Sequence, residues 1–153
     1  MINVLAQTNS VANNFLAEIR DIEVQRDALR FRRNMERLGE IFAYEISKTL
    51  DFYEQEVTTP LGTAMVRKTE RKVVLATILR AGLPMHQGML NYFDYAGNAF
   101  ISAYRKHHKD GSFEISLQYV TCPDLNDAVL IIADPMLATG QSIARTLQEL
   151  TRY

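Results

Sequence analysis

IIADPMLATGQSIARTL, residues Ile131 to Leu147, is an apolar run that stops at Asp134-Pro135, crosses small and hydroxylated residues, and resumes with helical spacing. A buried strand feeding a helix accounts for the two ends. The connection is the unusual part, because Ala138, Thr139, Gly140 and Ser142 leave room for backbone N–H groups to approach a ligand. The start of a helix is also where an anion is favoured, since its first amides lack intrahelical acceptors and carry partial positive charge. The stretch therefore predicts an α/β fold with a phosphate-sized cradle between its last strand and the helix from Ser142 onward.

Working outward, the chain alternates strand and helix. KVVLATIL (Lys72 to Leu79) is a continuous β-branched run of the kind buried on both faces. RAGLP and a helix-like MHQGMLNYF follow, with Pro84 suited to a first helical turn. NAFISAYR (Asn98 to Arg105), FEISLQYV (Phe113 to Val120) and AVLIIAD (Ala128 to Asp134) read as three further strands, and the hydrophilic RKHHKDGS as a mobile loop between the first two. Such alternation implies a largely parallel sheet flanked by helices, with ligands at the carboxyl ends of the strands.

Residues 1–52 read as a helical region, because Leu29, Met35, Leu38, Phe42, Ile46 and Leu50 step mainly by three or four. Arg20, Arg26, Arg30, Arg32, Arg33 and Arg37 cluster there. Asp21, Glu23, Asp27, Glu36 and Glu40 interleave with them, which predicts an ion-paired, solvated face and argues against nucleic-acid binding. Residues 55–67 predict a hairpin arm: Val57 to Thr59 and Thr63 to Val66 flank Pro60-Leu61-Gly62. A two-stranded ribbon is marginal alone, so it is expected to pack on the core or on another subunit. Residues 72–153 complete a single α/β domain.

With 153 residues, 47% hydrophobic and 23% charged, the composition is globular, and a net charge of −1 makes no case for an anionic membrane. One cysteine, Cys122, excludes an intrachain disulfide and suggests a reducing compartment; it reads as a small residue at the core edge. The polar N-terminus carries no signal sequence and no stretch reaches the roughly 18 apolar residues of a membrane span, so the expected location is cytoplasmic.

Three strand ends hold the candidate chemistry. Arg80 opens LRAGLP, Arg105 follows Tyr104 at the end of the second core strand, and Asp134 opens DPMLATGQS. On one edge of a parallel sheet they would combine two arginines, a carboxylate and a phosphate cradle. That set suits a ligand with several phosphates and a diol. The nucleotide-triphosphatase loop GxxxxGK[ST] is absent because nothing basic follows Gly140, and no GxGxxG occurs. His107-His108 point opposite ways on extended chain and are poor joint metal ligands. His86 reads as a helix-surface residue, and Asp94 and Asp110 as loop or cap residues.

VVLATILRAGLPMHQGML, the SAYR strand end and VLIIADPMLATGQS, in that order, closely resemble the uracil phosphoribosyltransferase family of type I phosphoribosyltransferases. The N-terminal helical region and the TPLG hairpin also correspond, so the resemblance covers nearly the whole chain. It implies transfer of ribose 5-phosphate from 5-phosphoribosyl 1-pyrophosphate (PRPP), with Mg2+, to uracil, giving UMP and pyrophosphate in pyrimidine salvage. It further implies a homo-oligomer and a GTP effector. Arg80, Arg105 and Asp134 are the implied catalytic residues. The implied PRPP-binding set is those three with Pro135, Met136, Leu137, Ala138, Thr139, Gly140, Gln141 and Ser142. Arg80 and Arg105 would hold the pyrophosphate, Asp134 the ribose hydroxyls, and residues 138–142 the 5-phosphate. A non-proline cis peptide is expected at or beside Leu79-Arg80.

Two departures from the family pattern stand out. Gln141 replaces a usual second glycine, which would restrict φ and narrow the cradle. The family also continues beyond the position of Tyr153 into a segment that reads the uracil edge. The expectation is therefore a chain truncated at its C-terminus, with no uracil-binding residues and no activity alone. The alternative function is an RNA-binding regulator of pyrimidine genes on the same fold, against which the balanced charge counts.

Overall fold

The computed structural model describes residues 2–107 and 113–153, with side chains described outside 104–116. Its helices are α1 (Ala12–Arg20), α2 (Ala28–Ser47), α3 (Leu83–Leu90) and α4 (Gln141–Leu150). Its strands are β1 (Phe52–Thr59), β2 (Gly62–Thr69), β3 (Lys72–Leu79), β4 (Gly97–His107), β5 (Phe113–Thr121) and β6 (Ala128–Ala133). The order in the main sheet is β5-β4-β3-β6. β3 runs parallel to both β4 and β6, and β5 is an antiparallel edge on β4. The sheet is thus largely parallel and covered by helices, as the alternation of the sequence implies.

The two faces of β3 separate the core. Val73 and Leu75 pack with Met35, Ala43, Met85 and Met89 on the α2–α3 side, while Val74 and Ala76 pack with Ala99, Ile101 and Leu150 on the other. Burial on both faces explains why KVVLATIL shows no alternation. Full burial of a side chain such as Leu75 or Ile101 is worth about 1.5–3 kcal/mol.

Helix α2 begins where Asp27 caps it, its carboxylate accepting from the Leu29 and Arg30 amides at 3.0 Å each. Such a cap contributes about 1 kcal/mol. The interleaved charges do pair: Arg30 forks onto Glu18 of α1 at 2.9 and 2.7 Å, Arg26 meets Glu23, and Arg33 meets Glu36. Asn34 adds a third donor to Glu18 at 2.6 Å, and together these hold its carboxyl at about 2, with the Arg30 hydrogen bond the largest cause. α2 and α3 approach at glycines. A Cβ on Gly39 would sit 2.2 Å from the Met85 carbonyl oxygen, and one on Gly88 1.9 Å from that of Glu36.

Three boundaries differ from expectation. The helical region ends at Ser47, and the arm runs from Phe52 to Thr69 with a two-residue connection, Thr59 pairing with Gly62. Gly62 is a strand residue at φ 130°, and Thr59 Oγ1 fastens the turn by accepting from Leu61 N. The strand ends were hidden because both faces of the ribbon are largely exposed, which leaves no alternation to read. Second, the helix after RAG starts at Leu83, with Pro84 in its first turn, and stops at Leu90. Third, β4 continues through Lys106 to His107, because β5 pairs with it as far as Phe113. Of the predicted loop RKHHKDGS, residues 108–112 lie outside the described residues, as does the expectation that the loop is mobile; Asp110 and the joint reading of His107-His108 lie there too.

Candidate active site

The parallel register brings the expected strand ends to one edge. Thr77 of β3 is level with Ala133 of β6, and Leu79 with Ser102 of β4. Arg80 therefore leaves β3 beside the point where Asp134 leaves β6. The Leu79–Arg80 peptide is cis, at the position expected. Arg80 is exposed, and among the described residues no carboxylate lies within ion-pair distance of it.

Asp134 and residues 136–143 line a small open cleft. Pro135 lies between them in sequence and is half-buried. Gly140 caps α4 at φ 76°, a left-handed backbone that favours glycine. The conformational demand of the turn falls there. Gln141 already begins the helix, so its side chain does not create the φ conflict anticipated for a replaced glycine; its amide is 3.5 Å from Thr139 Oγ1. The first-turn amides of α4 face the cleft end of the helix, where intrahelical acceptors run out. Burial pushes the Asp134 carboxyl above the usual range, opposed by the Met136 backbone N–H. Among the described residues no cation lies within ion-pair distance of Asp134, and a desolvated carboxylate in a cleft is a candidate for ligand contact.

Arg105 is placed differently from the strand-end position assigned to it. It lies inside β4, level with Ile115 of β5, three residues past the last rung that β4 shares with β3. Its side chain is outside the described residues. Lys106 and His107 look like loop residues by polarity alone, and only pairing with β5 reveals the longer strand.

His86 is also corrected. It is 3% exposed rather than on the helix surface, with its ring 5.2 Å from Phe100 on the sheet. Burial lowers its pKa, while contacts with the Leu75 backbone and the Asn98 side chain oppose that shift. Cys122 is half-buried at the edge of the second core cluster, where desolvation raises its thiol pKa, in keeping with a small packing residue. Asp94 lies in the turn after α3.

The residue that sequence reading missed is Thr77. It is fully buried, and its hydroxyl donates to the Ala133 carbonyl at 3.2 Å, beneath Gly82. A hydroxyl inside an otherwise apolar strand run was the available signal.

Comparison with known proteins identifies the family. The family model for uracil phosphoribosyltransferase matches residues 6–153. A protein named uracil phosphoribosyltransferase from Porphyromonas gingivalis is 57% identical over 139 residues, covering 91% of this chain and 64% of its own. One so named from Thermococcus gammatolerans is 38% identical, covering 90% and 61%. The solved structure of the AQ2163 protein from Aquifex aeolicus superposes with a TM-score of 0.80 at 28% identity, over 95% of this chain and 68% of that one. The chain thus spans less than two thirds of the length of these curated relatives. None of these names favours the RNA-binding alternative. On a match that runs nearly from end to end, the chain belongs to the uracil phosphoribosyltransferase family.

Proposed function

We propose that the chain carries the PRPP-binding half of an enzyme that transfers ribose 5-phosphate to uracil, forming UMP and pyrophosphate in pyrimidine salvage. The observation that supports it most is the meeting of the Arg80 loop and the Asp134–Ser142 cradle at one sheet edge. In the transfer, the bond from the anomeric carbon to pyrophosphate breaks and a uracil ring nitrogen, giving up its proton to solvent, takes its place. Pyrophosphate leaves with the electron pair. Arg80 and Arg105 would neutralise that charge, which is where electrostatic catalysis has most to gain. The amides at the start of α4 would hold the 5-phosphate, and Asp134 the ribose hydroxyls. No protein nucleophile is required.

Mg2+ fits this donor set as a cation carried by the substrate. Among the described residues no cluster of three or more ligating side chains occurs. A magnesium ion needs only one or two carboxylates when phosphate oxygens and water supply the rest. Asp134 is the carboxylate in the cleft, and the ion would add charge neutralisation at the pyrophosphate.

A homo-oligomer, a cytoplasmic location and a GTP effector belong to the same proposal. The first has physical support in the ribbon β1–β2, which exposes Phe52, Tyr53, Leu61 and Met65. No helix of the described residues is long and apolar enough to cross a membrane.

The test is calorimetric titration of PRPP with magnesium, paired with formation of labelled UMP from radiolabelled uracil. Saturable PRPP binding is expected, weakened by Arg105→Ala by about tenfold to a hundredfold, the value of a lost charge-assisted contact. A chain that takes up no PRPP would sink the reading.

A further inference from the structure

The two ligand loops leave different strands, so something must set their spacing. Gly82, in the loop after β3, is buried against the end of β6: a Cβ there would sit 2.1 Å from Thr77 Oγ1 and 2.7 Å from the Ala133 carbonyl oxygen. That carbonyl accepts the Thr77 hydroxyl at 3.2 Å and belongs to the residue immediately before Asp134. One hydroxyl thus touches both loops. It lies on the α3 face of the sheet, level with Phe100 of β4, and it is 0% exposed, so water cannot substitute for it. The Gly82 amide donates back to Ile78 O at 3.1 Å, which closes the loop tightly over the threonine.

We infer that Thr77 is a positioning residue that sets the distance between the Arg80 loop and the Asp134–Ser142 cradle, and hence the fit of a ligand bearing phosphates at both ends. This rests on the reading of those loops as the PRPP site. The hydroxyl matters in two ways. It ties the last residue of β6 to β3, and its oxygen is small enough for the glycine backbone to lie directly on it. Valine has nearly the same shape but replaces that oxygen with a methyl, which cannot donate and needs more room. Its introduction lifts the Gly82 turn while releasing the Ala133 carbonyl. Serine keeps the oxygen.

Thr77→Val, Thr77→Ala and Thr77→Ser separate these roles, with Thr77→Ala as the variant that cannot overcrowd the site. Backbone chemical shifts at Asp134 and Met136 and amide exchange at Gly82 are read by NMR, with the amide of buried Ala43 in α2 as the reference for global opening. PRPP affinity is measured on the same samples. The expected result is a local change at both loops in the valine and alanine variants, a rise of about three- to tenfold in the PRPP dissociation constant, and recovery of both in the serine variant. Unchanged shifts at Asp134 and Met136, or equal acceleration at Gly82 and Ala43, would overturn the inference, since a loss of global stability alone acts on amides through the shared unfolding that a core amide reports. Failure of the unaltered chain to bind PRPP would sink the functional reading alone, and the NMR comparison would still decide the role of Thr77.

Discussion

The loop after β3 and the loop after β6 open on the same edge but are built in opposite ways. In the first, Gly82 is buried against a hydroxyl and a carbonyl. In the second, Met136 and Leu137 are 79% and 69% exposed, and a Cβ on Gly140 would meet nothing closer than Leu137 Cδ1 at 3.8 Å. One loop is held by packing, the other by backbone conformation and local hydrogen bonds at Met136 and Gln141. A site that must clasp a ligand and release it gains from that division, with one wall rigid and the other adaptable.

The same substitution in each loop should expose the difference most sharply. Gly82→Ala drives a methyl into backbone as well as side chain, and should cost about 1–3 kcal/mol of stability together with most PRPP binding. Gly140→Ala has room and suffers only from the positive φ, costing about 1 kcal/mol, with binding reduced but measurable. Urea denaturation and calorimetric titration of both variants check the order. Equal losses would mean that the loops do not differ as described.

Asp134→Asn should separate stability from function. Burial raises the Asp134 carboxyl pKa, so at neutral pH the charged group is a burden on the folded, ligand-free chain. The amide variant should melt slightly higher and bind PRPP worse. A lower melting temperature would show that the Met136 N–H contact outweighs the burial.

The smallest effects concern pH. His86 has a folded pKa below its ordinary 6.5, so the unfolded chain takes up protons first, and stability should begin to fall as pH drops through about 6.5. Glu18 is held at about 2 in the fold, so its contribution is present above about 4.5 and is lost between there and about 2. Denaturation midpoints in His86→Phe and Glu18→Gln variants should each lose one of these two slopes. A variant that retains its slope would assign that window to another group.

Much of the sheet could be read from residue order. KVVLATIL gives β3 from end to end, because burial on both faces leaves a run that only a central strand tolerates. AVLIIAD locates β6 and the cradle by its unbroken apolar run ending at Asp134, although β6 is an edge strand of this sheet and only partly buried. His86 escaped because helix α3 is covered by both α2 and the sheet, so it has no polar face whose periodicity would assign the histidine to a side. Arg105 escaped because strand length at a sheet edge depends on the partner strand, which local polarity does not report. Thr77 could be seen as an odd residue in an apolar run, but its use appears only when β6 lies beside it.

The ribbon β1–β2 has a practical consequence. Eight paired rungs at about 3.3 Å each make an arm of about 26 Å, ending in Pro60-Leu61 with Leu61 wholly in solvent. Its tip lies at the opposite end of the ribbon from the base at Phe52 and Thr69. A fluorophore attached at position 61, after Leu61→Cys and removal of the half-buried Cys122, would report rotation of the arm by its anisotropy without a probe inside the cleft.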